Sequence, residues 1–286
     1  MQTNSGAPAL LYLYALIPTG EYEQAPMEPM EGMEPDNNIS FIEHGSITAV
    51  VTHVPEEEFS QEKLQKNVEK MEWLQAKAFH HHETMNQLHD RYTTIPLKFG
   101  TIFEQEANLA EMIEKYKESV TAQLSYLKGK EEWNVKTYAD QQLFTEAVVQ
   151  NSEEIQAKEA ELEAMPAGRR FFEKKKMDQF IEAQADEQIE KHCQSFHDEL
   201  AAWSEGTEIK KNWEKRVTDR EKEMAWNAVY LIHSKDREAF IQLIEQRQEK
   251  EEAEETGMDL ECTGPWPAFH FSGLTDRREQ NAPGHS

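Results

Sequence analysis

The densest run of chemically able side chains is HHHETMNQLHD, residues 80–90, which holds His80, His81, His82 and His89. A helical zinc site of the His-Glu-x-x-His kind needs two histidines one turn apart. Here His82-Glu83 is followed by Asn86 where the second histidine should stand. His82 and His89 face the same way on a helix. At 1.5 Å of rise per residue they lie about 10 Å apart, too far to share one ion. The run is therefore read as solvated or capping histidines, and no metal is assigned. The thiols point the same way. Cys193 and Cys262 are too few and too distant for a disulfide framework or a four-cysteine site. One sits on an apolar helix stripe and the other in a strand, so both are read as buried structural thiols of a reducing compartment. There is no nucleophile elbow, no P-loop and no dinucleotide glycine fingerprint. The many carboxylates lie on solvated helices, where nothing shifts their pKa. The residues thus predict no catalytic group and no cofactor, and the chain is read as not an enzyme.

What remains is apolar and aromatic. In TGPWPAFHF, residues 263–271, Pro265 and Pro267 hold the backbone extended on either side of Trp266. Gly264 permits a close approach or an unusual turn. The segment presents Trp266, Phe269 and Phe271 at little ordering cost. It is expected either to dock these rings on the chain's own domains or to offer them to a partner. A second patch, RRFFEKKK at residues 169–176, places five cations around two phenylalanines. It is read as a helix start whose cations pair with acidic helices nearby, with a docking patch for an acidic partner as the alternative.

Composition limits the partners. Net charge is −25, which argues against nucleic acid and against adsorption on anionic lipid. The 286 residues suffice for two domains, but a 38% hydrophobic and 30% charged chain builds a lean core. No stretch approaches the ~20 apolar residues of a membrane span. The N-terminus shows neither the basic region nor the cleavage site of a secretory signal. A cytoplasmic protein without membrane insertion is expected.

The elements that must position these residues follow from periodicity. LLYLYALI, residues 10–17, reads as a buried strand ended by Pro18, Thr19 and Gly20. Residues 21–38 repeat Met, Glu and Pro without a helical period and read as a mobile acidic loop. Gly45 and Ser46 split residues 39–54 into a hairpin. Ser60 then caps a helix whose Leu64, Val68, Met71, Leu74, Ala78, Met85 and Leu88 form one stripe. TTIPLKFGTIF, residues 93–103, is extended. A second helix carries Leu109, Ile113, Tyr116, Val120, Leu124 and Leu127, and residues 132–139 form a half-buried strand. Residues 140–205 are helical with a break at Pro166–Gly168. Beyond the break, Ile189, Cys193, Phe196, Leu200 and Trp203 make a heptad-like seam. The last third reads as a weak strand over 209–217, a strong strand over 226–233, a helix, and a final strand over 258–266. The fold class is α+β: two small domains, ferredoxin-like in outline, joined by a long helical hairpin region. The division is 1–140, carrying the 21–38 loop; 141–271, the hairpin with the C-terminal domain; and a disordered tail over 272–286.

Five segments in order resemble the gas vesicle GvpL/GvpF family: YLYALIP (12–18), PLKFGTIF (96–103), GKEEWNVKTYAD (129–140), NAVYLIH (227–233) and TGPWPAFHF (263–271). They span nearly the whole chain. Phe269 stands where the family often has tyrosine, the 21–38 insertion has no counterpart, and 166–176 matches the family poorly. The resemblance implies an accessory protein of gas vesicle formation that contacts the hydrophobic shell protein and other gas vesicle proteins, with no catalytic residue or cofactor. It makes Gly264, Pro265, Trp266, Pro267, Phe269 and Phe271, together with Pro96, Phe99, Gly100 and Thr101, the candidate interaction or structural motif. Gly100, flanked by strand formers, is expected at a bulge, bend or close approach. A generic α+β scaffold in another complex is the alternative reading, and a metal-dependent enzyme using His80–His89 a weaker one.

Overall fold

The computed structural model describes residues 9–218 and 220–273. The chain forms two compact units, Met1–Glu132 with Pro265–Ser286, and Trp133–Gly264. The sequence expectation put the boundary after residue 140 and kept residues 263–271 with the second domain. In the structure the chain leaves the first unit at Glu132 and re-enters it at Pro265.

The first unit opens with β1 (Ala9–Pro18), followed by the short α1 (Thr19–Gln24), the hairpin β2 (Ser40–His44) and β3 (Ile47–Pro55), and helices α2 (Glu56–Phe59), α3 (Gln61–Asn67) and α4 (Met71–His89). Two-residue strands β4 (Ile95–Pro96) and β5 (Ile102–Phe103) precede α5 (Glu106–Leu127). The sheet order is β2-β3-β1-β4, with β5 also on β1, and each pairing is antiparallel. A strand buried over its whole length reads as an unbroken apolar run, which is why LLYLYALI was legible. Its alternation slips once: the register with β3 shifts between Leu13 and Ala15. This bulge lets Leu10, Tyr12, Tyr14, Ala15 and Ile17 all join one cluster with Val50, Val54, Phe59, Met85 and Leu88. Between β1 and β2 the only helix is the six-residue α1.

Two expectations fail here. The helix read from Ser60 to Leu88 breaks after Asn67 and restarts at Met71. The break resets the helical phase, so Met71 is exposed while Met85 and Leu88 are buried. The 21–38 loop is ordered. Met33 is buried and Met27 and Met30 pack on the core, while Lys77 Nζ donates to the Met33 carbonyl at 3.0 Å and pairs with Glu34 at 2.6 Å. Flexible methionine side chains fill irregular gaps in a core, a role that carries no periodic signal.

The second unit holds β6 (Lys130–Ala139) from Trp133 on, α6 (Gln141–Asn151), α7 (Glu153–Glu163), α8 (Ala167–Ala201), β7 (Gly206–Ile209), α9 (Lys215–Thr218), β8 (Glu223–His233), α10 (Arg237–Ala253) and β9 (Met258–Trp266) as far as Gly264. The sheet order is β7-β8-β6-β9. At 1.5 Å per residue, α8 is about 52 Å long. Its buried stripe of Met177, Ile181, Ala185, Ile189, Cys193, Phe196 and Leu200 is the expected seam, and it serves as an intramolecular core face. Trp203, assigned to the seam, lies beyond the helix and is 46% exposed. The weak strand expected over 209–217 is instead β7, ending at Ile209, with α9 after it. Both thiols are pushed up to about 12 by burial, as inert structural cysteines should be. Ser272, assigned to a disordered tail, is buried; the tail from 274 on lies outside the described residues.

Candidate functional site

The site lies within the first unit, where α4 meets β1, the 96–103 loop and the returning segment 265–273. Pro96 pairs with Ala15, and the Leu97 amide donates to the Tyr14 carbonyl at 2.9 Å. The Leu13 amide donates to the Thr101 carbonyl at 2.9 Å, and Thr101 Oγ1 closes the turn on the Lys98 carbonyl at 2.7 Å. Between these anchors Gly100 adopts φ +81°, where a side chain is strained. Its amide donates to the Tyr12 hydroxyl at 3.2 Å, and an added Cβ would stand 2.9 Å from Leu64 Cδ2. Gly100 is thus the bend its sequence context implied.

The histidine run supplies the other wall. Tyr12 Oη and His81 Nδ1 lie 2.8 Å apart, and Tyr14 Oη and His80 Nε2 3.0 Å apart. A relay satisfies the first pair: the Gly100 N–H donates to Tyr12, whose hydroxyl donates to neutral His81. Phe99 closes on this pair edge-on, 5.9 Å from the His81 ring and 6.2 Å from Tyr12. Burial holds His81 down at about 4, and burial also lowers His80. Burial raises both tyrosines above their ordinary range. The expectation of solvated or capping histidines therefore fails at His81, which is 5% exposed and a core partner of Tyr12. A period-based reading sees a histidine as polar and cannot see the tyrosine that takes its hydrogen bond. The second unit repeats the device: His197 Nδ1 of α8 lies 2.8 Å from Tyr230 Oη of β8.

The third histidine faces the returning segment. The rings of His82 and half-buried Trp266 are 5.3 Å apart. Pro267, Ala268 and Ser272 are buried, and Phe269 packs against the cluster that contains Tyr12 and Tyr14. The His270 amide donates to Glu132 Oε2 at 2.9 Å, and its ring Nδ1 lies 2.6 Å from Glu132 Oε1. Glu132 is buried, so this clamp answers an otherwise unpaired carboxylate. Gln123 Nε2 donates to the Phe271 carbonyl. Gly264, with φ +147°, lies within the β9 strand just before this docked stretch, a backbone conformation that favours glycine. Of the sequence-derived candidates, Phe99, Gly100, Trp266 and Phe269 come together around α4. Pro96 and Thr101 anchor the loop, and Phe271 engages through its backbone. Sequence reasoning missed His81, His82, Glu132 and His270. The adjacency of three histidines was visible, but their partners were not.

Chemically, the arrangement is a packed polar core with un-ionised tyrosines and a neutral imidazole. Among the described residues no group of three or more His, Cys, Asp or Glu side chains is placed to hold a metal ion. No helix among them is long and apolar enough to cross a membrane. Beside the site, a groove of about 930 Å³ runs past Gly100 and Ile102, floored by Phe59, Leu64 and Val68.

The sequence pattern of the gas vesicle synthesis proteins GvpL/GvpF matches residues 10–273. Gas vesicle protein L of a Streptomyces species is 24% identical over 264 residues, covering 90% of this chain and 94% of its own. Gas vesicle protein L1 of Halobacterium salinarum is 22% identical over 270 residues, covering 91% and 89%. The crystal structure of gas vesicle protein GvpF from Anabaena sp. superposes with a TM-score of 0.71 at 18% identity, over 94% of this chain and all of that one. GvpF from Microcystis aeruginosa gives 0.62 at 16% identity, over 93% and 99%. Both structures share the α+β fold described above.

Proposed function

Because the chain belongs to the gas vesicle synthesis protein GvpL/GvpF family, we propose that it is a non-catalytic accessory factor of gas vesicle formation. It acts in the cytoplasm, at the gas vesicle, by contacting the hydrophobic shell protein and other gas vesicle proteins. The observation that carries this reading is the family match over residues 10–273, which takes in both units and both segments of the site. The chemistry of the site supports it. Burial keeps Tyr12, Tyr14 and His81 neutral, and packing engages their rings. The role of the 96–103 and 265–271 motifs is then to hold the first unit in shape, so that binding falls to surfaces around them.

The test is direct. Cells lacking the chain should fail to make vesicles and recover when it is restored. The immobilised chain should retain the shell protein in a pull-down. Normal vesicles in its absence, together with no retention of any gas vesicle protein, would overturn the reading.

A further inference from the structure

Two surfaces on this chain complement each other. The first is the head of α8. From Ala167 to Lys176 every side chain is exposed except the half-buried Glu173, and burial begins only at Met177. A helix turn without a buried face contributes nothing to its own core. Yet this one carries Phe171 and Phe172, 69% and 67% exposed, edge to face with centroids 5.7 Å apart. The surrounding cations were expected to pair with acidic helices nearby, and few of them do. Arg170 closes the end of α7 on the Glu163 and Met165 carbonyls, and Lys176 pairs with Glu173. Arg169, Lys174 and Lys175 have no ion-pair partner among the described residues. In a chain of net charge −25 this is a basic island around an aromatic centre.

The second surface is the groove of the first unit. Its floor of Phe59, Leu64, Val68 and Ile102 is apolar, and its rim carries Glu56 and Glu104. Both carboxylates are exposed and unpaired among the described residues. An apolar floor with an acidic rim accepts an aromatic anchor flanked by cations. Aromatic and Arg side chains are the usual anchors of protein interfaces.

We propose that the α8 head of one copy docks in the groove of a second copy, so that the chain self-associates head to tail. The occupant is a second copy because the matching charge pattern, basic around aromatic and acidic around apolar, is present on this chain itself. The proposed contact is heterologous: the two patches differ, and a single contact leaves one copy a free head and the other a free groove. Such contacts build rings or open chains and are not exhausted by a two-fold pair. The contact is small and carries charge, so it is reversible and weakens with salt.

Analytical ultracentrifugation of the full chain tests this at rising concentration, in low and high salt. The average mass should climb past that of a dimer at low salt and fall back at high salt. The Phe171→Ser, Phe172→Ser variant and the Glu56→Lys, Glu104→Lys variant should each remain monomeric. Their melting temperatures should be unchanged, since all four side chains are exposed or sit on the groove rim. Mixed together, the two variants should form dimers and stop there, because only one working head and one working groove remain per pair. A wild-type chain that is monomeric throughout would overturn the proposal. So would a mass that stops at the dimer, or association that survives the loss of both phenylalanines.

Discussion

His80, His81 and His82 are consecutive on α4 and face three different neighbours: Tyr14, Tyr12 and Trp266. Successive helical residues point about 100° apart, so one short run can lock a strand and a returning loop onto the same helix. His81 makes this lock sensitive to acid. Burial holds its folded pKa down at about 4, while the unfolded side chain titrates near 6.5. Below pH ~6.5 the unfolded chain takes up a proton that the folded one refuses, so stability present above that pH is lost as pH falls toward 4. His80, shifted the same way, adds to the effect. From pH 7 to pH 5, urea titrations should show a loss of about 2 kcal/mol from His81 alone. A His81→Asn variant should lose less over the same interval, and an identical pH slope in the variant would refute the assignment. Trp266 is a different case. Its ring is half-buried, so Trp266→Ala should cost about 1–3 kcal/mol, less than the ~3–5 of a fully buried large aromatic. Thermal unfolding and shell-protein retention should be measured on one sample. Unchanged stability with lost retention would make the ring a recognition anchor instead.

Among the elements, those specified by local pattern were legible. The β1 run, the Gly45 hairpin, the β9 strand and the α8 seam each carry their own period or breaker. Those specified by a remote partner were not. The break between α3 and α4 is held by Asn67, whose Nδ2 donates to the Glu58 carbonyl at 3.1 Å and whose Oδ1 accepts from Lys70 at 2.8 Å. No apolar periodicity encodes that. The 21–38 loop looked disordered because its composition is acidic and rich in proline, but Met33 and Lys77 tether it. Gly32 marks the close approach, since a Cβ there would fall 2.1 Å from Thr52 Oγ1. Lys77→Ala removes one bond to the loop backbone and one partly buried ion pair. It should cost about 1–2 kcal/mol and speed amide exchange across residues 27–38. Unaltered exchange there would mean that the methionines alone hold the loop.

At the scale of the whole molecule, the first unit is discontinuous: its last piece, from Pro265 on, follows 132 residues of the second unit. A chain ended after Gly264 keeps the second unit's residues but loses buried Pro267, Ala268 and Ser272, and the His270 partner of Glu132. Leaving that buried carboxylate unanswered costs about 1–3 kcal/mol or more. Amide exchange should therefore quicken in β1 and α4 while β8 stays protected. Equal protection in both units would show that the returning segment is dispensable. The same discontinuity sets an order of events on the ribosome. The chain up to Glu132 is made before the second unit and stays unfinished, with Glu132 waiting, throughout the synthesis of that unit. Segment 265–273 reaches the first unit only after the second has been made, so a nascent chain broken off before it leaves Glu132 without its His270 partner and the N-terminal half loosened.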